Sequence, residues 1–296
     1  MTVLEVSNLK KQYGNVHALK GVSFAVPEGS VFGILGPNGS GKTTLLGIIT
    51  DILKATSGTY TLFEQTPTPA LRQNMGTFLE TPNFYHYMSA VNNLKVAASI
   101  KERGADDIDR VLEVVNLSQR KHSKFSTYSL GMKQRLAIAS CLLGNPNVLI
   151  LDEPTNGLDP VGIAEIRELI KRLRQEGKTI IMASHLLDEV EKVCTHAAIL
   201  KKGELVLTGP VDEIMATEEV IQISATNKNQ LLQVAHSIKG CSKKAILDNE
   251  MVLLYFKTGT SDLSAINQQF FNQGVVLNHL SVKKRSLESK FFELTN

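Results

Sequence analysis

Nine consecutive residues constrain this chain more than any other feature: Gly36, Pro37, Asn38, Gly39, Ser40, Gly41, Lys42, Thr43 and Thr44. They fit the phosphate-binding pattern G-x-x-x-x-G-K-[ST]. The flanks fit it too, because Ser30 to Leu35 is an apolar run of strand length and Leu45 to Thr50 continues at helical spacing. A glycine-rich turn between a strand and a helix lets backbone N–H groups surround a phosphate chain at the positive end of the helix dipole. In that arrangement Lys42 reaches the β- and γ-phosphates of a nucleotide and the Thr43 hydroxyl holds Mg²⁺. Chance matches to the bare pattern occur, so the rest of the chain must corroborate it.

A chain of 296 residues is long enough for one large domain and a small one. Lys and Arg number 32 against 29 Asp and Glu, a net charge of +3. That balance is too slight to argue for nucleic acid as a partner. Three cysteines, Cys141, Cys194 and Cys241, lie far apart and in no metal spacing, which fits a reducing cytosol better than a disulfide framework. No apolar signal region opens the chain. The longest apolar runs fall short of the roughly 18 residues of a spanning helix, so work at a membrane is expected from the aqueous side.

Residues 3 to 35 read as strands and turns, with alternation in Val3 to Val6 and again in Val22 to Val26. From Ser89 to about Leu117 the pattern turns helical: Ile108, Val111, Leu112 and Val115 recur at the spacing of one helix face. Residues 136–143 read as a buried helix stopped by Gly144-Asn-Pro146. Val148 to Asp152 is a central parallel strand ending in acids, a charged helix follows from Glu165 to Glu176, and Thr179 to Ala183 is a second buried strand. This alternation indicates an α/β layer fold. The texture shifts after Thr217. Residues 1–217 are thus expected to form the nucleotide-binding domain, and 218–296 a small α+β domain of strand–helix–strand–strand–helix–strand order with a closing helix from Ser286 to Leu294.

Asp152 ends its strand where a carboxylate suits Mg²⁺, and Glu153 follows it directly. Between the phosphate loop and this strand lies Tyr128-Ser129-Leu130-Gly131-Met132; after it come Asn156-Gly-Leu-Asp159 and Ala183-Ser-His185. Ser129 is also a good helix N-cap, which makes that helix start a second anion site. The order of segments resembles the ATP-binding cassette (ABC) ATPases over residues 1 to about 215. Ser129 and Gly131 match the family signature L-S-G-G-Q, whereas Tyr128, Leu130 and Met132 depart from it.

The resemblance implies a P-loop cassette with a RecA-like core, an antiparallel β subdomain and a helical signature subdomain. It implies a second cassette as partner, paired head-to-tail as a homodimer or a pseudo-symmetric pair. Each ATP then lies between the phosphate loop of one copy and the Ser129–Met132 segment of the other. By the same resemblance Glu153 is the general base, His185 positions the attacking water, Asp159 links the two sites, and Tyr13 stacks on adenine.

One position departs in a way that matters. The family's glutamine, which touches Mg²⁺ and the attacking water, falls here on Glu80, within Leu79-Glu80-Thr-Pro-Asn-Phe84. A carboxylate there adds negative charge beside the metal, either ligating it or raising its own pKa. The same departure resembles exporter ATPases that protect against lantibiotics and bacitracin-like peptides. Phe84-Tyr-His-Tyr-Met88 reads as lining for a helix of a membrane subunit, or else as packing within the helical subdomain. Lys283-Lys-Arg285 reads as a solvated turn rather than a lipid contact.

The expected function is therefore the ATPase subunit of an exporter, peripheral on the cytoplasmic face of the membrane, with the pore in a separate multi-spanning permease. A peptide antibiotic, drug or lipid-like molecule is the implied cargo. An importer ATPase and a soluble ABC ATPase are the alternatives, the latter disfavoured by the single cassette and the near-neutral charge.

Overall fold

The computed structural model describes the chain except residues 80–82, 216–218, 239, 247–250, 258 and 284–296. Two compact units divide it, Met1–Val211 and Asp212–Asn296. In chain order the first contains β1 (Thr2–Tyr13), β2 (Val16–Pro27), β3 (Val31–Leu35), α1 (Lys42–Ile49), β4 (Ser57–Leu62), α2 (Pro69–Arg72), β5 (Met75–Phe78), α3 (Ala90–Lys101), α4 (Ile108–Val114), α5 (Leu130–Leu142), β6 (Val148–Asp152), α6 (Pro160–Gln175), β7 (Thr179–Ser184), α7 (Leu187–Val193), β8 (His196–Lys201) and β9 (Glu204–Pro210); α8 (Val211–Met215) follows.

Six strands form the main sheet in the order β5-β6-β7-β3-β8-β9, parallel except for β9. Every residue of β3, β6 and β7 is buried, as near-continuous apolar runs must be when both faces of a parallel sheet are covered. A smaller antiparallel sheet, β2-β1-β4, shares an apolar core with α1. Phe24 of β2 stacks on Phe32 of β3 at 5.2 Å between ring centres, inside a core shared by both sheets.

The helical part is built from α3, α4 and α5. Ile108, Val111, Leu112 and Val115 are all buried, so the helical periodicity in the sequence is the face turned to the core. At Gly76 an added Cβ would lie 2.1 Å from the carbonyl oxygen of Cys141, so β5 and α5 meet backbone to side-chain-free backbone. Helix α6 starts earlier than its charge pattern suggests. Asp159 Oδ1 accepts from the Gly162 N–H at 2.9 Å and Pro160 occupies the first helical position. The Asp-Pro pair carried that start signal, and the charged stretch beginning at Glu165 obscured it.

The second unit contains β10 (Glu219–Ala225), α9 (Lys228–Ser237), β11 (Cys241–Ile246), β12 (Val252–Phe256), α10 (Leu263–Asn272) and β13 (Leu277–Lys283). Its strands lie in the order β11-β12-β10-β13, all antiparallel, a split βαβ arrangement. Leu231 and Val234 of α9 and Ile266 and Phe270 of α10 form one core with Ile221, Ile223 and Leu254. The anticipated closing helix, together with Lys284 and Arg285, lies outside the described residues. Among the described residues no helix is long and apolar enough to cross a membrane.

Candidate active site

Three adjacent strands deliver the site. Register pairs Leu35 of β3 with Ser184 of β7, and Asp152 of β6 with Ala183, so the three chains emerge side by side at the carboxyl edge of the sheet. Ligands of open α/β sheets bind at that edge. Helix α1 begins at Lys42 with Gly41 as its N-cap, at φ 106°. A Cβ on Gly41 would lie 2.6 Å from the Ala18 carbonyl oxygen, so only glycine lets β2 close against the loop. The free N–H groups of the first turn of α1 then supply the donors an anion needs.

Lys42 is buried, and its ammonium donates to the carbonyl oxygens of Gly36 at 2.8 Å and Pro37 at 3.3 Å. Ser40 is buried beside it; its carbonyl oxygen accepts from the Gly203 N–H at 3.0 Å. The Thr43 hydroxyl donates to Asp152 Oδ2 at 3.0 Å. A hydroxyl and a carboxylate are hard oxygen donors of the kind Mg²⁺ takes when phosphates and water fill its other positions. Among the described residues no group of three or more His, Cys, Asp or Glu side chains forms an all-protein cage. The donor set therefore fits a metal that arrives with a phosphate chain.

A cavity of about 780 Å³ opens over this loop, lined among others by Val16, His17, Asn38, Gly39, Thr44 and Glu153. Tyr13 pairs with Val16 across the β1–β2 turn; the residue is 45% exposed, and its ring carries the Lys11 ammonium 4.8 Å from its centre.

Glu153 is held at the junction of β6 and β7. Its N–H donates to the Ala183 carbonyl oxygen at 3.0 Å, and its φ is +50°, a left-handed conformation uncommon for a residue with a side chain. The carboxylate accepts from the His185 N–H at 3.4 Å, and Oε2 lies 2.8 Å from His185 Nδ1. Oε1 lies 3.6 Å from Lys42 Nζ. One carboxylate thus bridges the buried lysine and the histidine.

Two further contacts brace the segment around His185. Ser184 Oγ accepts from the Leu186 N–H at 3.0 Å, shaping the turn, and Arg167 of α6 forks onto Glu189 of α7 at 2.8 and 2.9 Å. The latter pair is 22 residues apart and follows no helical spacing, so no local signal could have shown it.

Ser129 caps α5, its Oγ accepting from the Met132 N–H at 3.3 Å. Tyr128 before it is buried, and its hydroxyl donates to the Arg120 carbonyl oxygen at 2.8 Å. Burial pushes its phenol pKa up, which keeps that donor protonated. The aromatic departure from the signature is thus an anchor for the helix start. Leu130 is 43% exposed, and its Cδ2 would lie 3.1 Å from a Cβ on Gly157. Ser129, Leu130, Gly131 and Asp159 line a separate cavity of about 300 Å³. It shares no residue with the cavity over the phosphate loop. Within one chain the two halves of the predicted site line different cavities.

A third cavity, about 650 Å³, is lined by Phe78, Leu79, Phe84, Tyr85, His86 and Ile100 among others. Phe84 and His86 pack edge-on against Phe125 at 5.3 and 5.4 Å, whereas Tyr85 and Tyr87 are 50% and 67% exposed. Buried Asn93 fixes the segment, accepting from the Tyr85 N–H at 2.7 Å and donating to the Tyr85 and Ser89 carbonyl oxygens at 3.1 and 3.0 Å. The aromatic run therefore divides: Phe84 and His86 contact Phe125, whereas Tyr85 and Tyr87 face solvent. Glu80 lies outside the described residues.

Such a sheet, with its phosphate loop and capped helix start lining different cavities of one chain, is an ATP-binding cassette. The ABC transporter family model matches residues 19–156. The uncharacterized ABC transporter ATP-binding protein YhcH of Bacillus subtilis is 36% identical over 300 residues, covering 99% of this chain and 96% of that protein. The bacitracin transport ATP-binding protein BcrA of Bacillus licheniformis is 33% identical over 303 residues, covering 99% and 97%. Among solved structures, cbiO1 from Clostridium perfringens, part of the ABC transporter complex cbiONQ, superposes with a TM-score of 0.67 at 33% identity, covering 73% of this chain and 91% of that one. This chain belongs to the ATP-binding proteins of ABC transporters. It is an ATPase that binds ATP, and proteins of its kind partner with membrane permease subunits.

Proposed function

We propose that this chain is the ATP-hydrolysing subunit of an exporter, working as a homodimer with a separate multi-spanning permease at the cytoplasmic face of the membrane. The observation that carries the hydrolytic mechanism is the Glu153 carboxylate set between Lys42 and His185 at the end of β6. Lys42 neutralises the terminal phosphates of ATP. Glu153, bonded to His185 and 20% exposed at its side chain, is reachable by water and takes the proton of the attacking molecule. His185 holds that carboxylate and the γ-phosphate in one frame. Thr43 and Asp152 would hold Mg²⁺, which supplies positive charge to the phosphates as their bond breaks.

Two cavities with no lining residue in common support the dimer. Ser129 and its helix start line a different cavity from the phosphate loop, and Leu130 and Val161 stand exposed beside them at 43% and 67%. A second copy turned head-to-tail brings each helix start over the other's ATP and covers that apolar rim. Asp159, already the cap of α6, lies beside the same helix start and would link the two sites.

Export rather than import is supported by similarity along the whole chain, second unit included, to proteins named for bacitracin transport. A peptide antibiotic or another amphipathic molecule is the matching cargo class. The groove beside Tyr85 and Tyr87 would seat a short helix of the permease. The test is co-purification of the tagged chain from membranes with a multi-spanning partner. Tyr85→Ser/Tyr87→Ser should lose the partner while the isolated subunit hydrolyses ATP as before. Undiminished co-purification of that variant would overturn the docking site, and recovery of the parent chain with ribosomes or DNA instead of a membrane protein would overturn the transport reading.

A further inference from the structure

The turn between β8 and β9 brings another lysine to the nucleotide cavity. Lys202 lines the same space as Asn38, Gly39, Lys42 and Thr44 on one side and Val16, His17 and Ala18 on the other. The turn that carries it is fastened at several points. Gly203 N–H donates to the Ser40 carbonyl oxygen at 3.0 Å, and the Lys20 N–H donates to the Gly203 carbonyl oxygen at 2.8 Å. A Cβ on Gly203 would lie 2.7 Å from the Ala18 carbonyl oxygen, so the turn presses against β2. Lys202 itself has φ +49°, a conformation a lysine seldom adopts without support from its surroundings.

The other lysines of the cavity are engaged. Lys42 is buried and bonded to Gly36 and Pro37 while facing Glu153, and Lys20 pairs with Glu204 at 3.0 Å. Lys202 is exposed, and among the described residues it has no ion pair. A lysine on a turn braced to both the phosphate loop and β2 is placed for a polyanion that spans the two. Lys42 takes the β- and γ-phosphates. With the phosphates at Lys42, the cavity's β2 wall, where Val16 pairs with the exposed Tyr13, is left for the nucleoside end on the reading of this cavity as the ATP site.

We propose that Lys202 is a further nucleotide-binding residue, supplying a charge-assisted contact to the α-phosphate and ribose end of ADP and ATP. The inference rests on the reading of this cavity as the ATP site. Because Lys202 is exposed, its contact is partly screened by solvent and modest in size, and it disappears with salt.

Calorimetric titration of the purified full chain with ATP, ADP and adenosine tests it. Lys202→Gln should weaken ATP and ADP about three- to fivefold at low salt, the range of an exposed ion pair, with adenosine unchanged. Lys202→Arg should stay within about twofold of the parent, and the Lys202→Gln defect should close near 1 M salt, where the Debye length falls to about 3 Å. Equal ADP affinity for parent and Lys202→Gln, with matching melting curves, would overturn the assignment of Lys202 alone. A defect that extends to adenosine or persists in high salt would also overturn it, as a sign of altered cavity shape. A parent chain that binds neither ATP nor ADP would defeat the ATP-site reading itself, and this inference with it.

Discussion

Lys42 Nζ and Glu153 Oε1 face each other at 3.6 Å, a lysine from the first turn of α1 and a glutamate from the end of β6. Neither is near the other in sequence. They meet because β6 and β3 both flank β7 in the sheet and end level with it. The glutamate's left-handed backbone is part of the same arrangement, since an extended residue there would carry the chain onward along the strand direction.

Glu153→Gln keeps the size and the polar character of that side chain but removes the carboxylate proposed as the base. We expect turnover to fall by at least about 10²-fold, the scale of general-base catalysis, while ATP is retained in a dimer. Phosphate release together with size-exclusion chromatography in ATP checks this. Unchanged hydrolysis would refute the role of Glu153.

Asp159 serves α6 whatever it does across a dimer. Asp159→Ala should lower stability by about 1 kcal/mol through loss of the cap, whereas Asp159→Asn, itself a good cap, should leave it nearly intact. Urea unfolding separates the two. A turnover defect in Asp159→Asn at undiminished stability would then belong to the catalytic cycle rather than to the helix.

Gly76→Ala places a methyl group against the Cys141 carbonyl oxygen, where the ideal position is 2.1 Å away. β5 and α5 must separate to admit it, at a cost of about 1–3 kcal/mol, the usual penalty of overpacking. A lower denaturant midpoint with little change in slope is the expected result.

The thiols give a pH prediction. Burial pushes the Cys141 pKa up to about 12, and it pushes that of Cys194 up as well. Both are therefore neutral in the fold at ordinary pH, and the half-buried Cys241 should be the one thiol that reacts quickly with an aromatic disulfide at pH 8. Denaturation should release all three. In the unfolded chain a thiol ionises near pH 8.5, so the stability from keeping these two protonated is fully present below that pH. It should be lost as pH rises from there toward 12, visible as a falling melting temperature.

The sequence by itself determined a good deal: the phosphate loop between a buried strand and a helix, the strand ending at Asp152, the Ser129 cap, and the apolar face of Ile108 to Val115. Each is a local signal, set by turn chemistry, capping or periodicity within a few residues. Family resemblance added the roles expected of Glu153, His185 and Asp159, and the departure at Glu80 is a reading of sequence alone. Tertiary structure decided what depends on strand order and on contacts between distant segments. It set Glu153 between Lys42 and His185, buried Tyr128 as an anchor, set Phe84 and His86 against Phe125 while leaving Tyr85 and Tyr87 exposed, locked α6 to α7 through Arg167 and Glu189, and brought Lys202 to the phosphate loop. The first and last of those relationships arise when β7 comes to lie between β6 and β3 and β8 beside β3, an order fixed by burial of whole sheet faces and written in no single stretch of the chain.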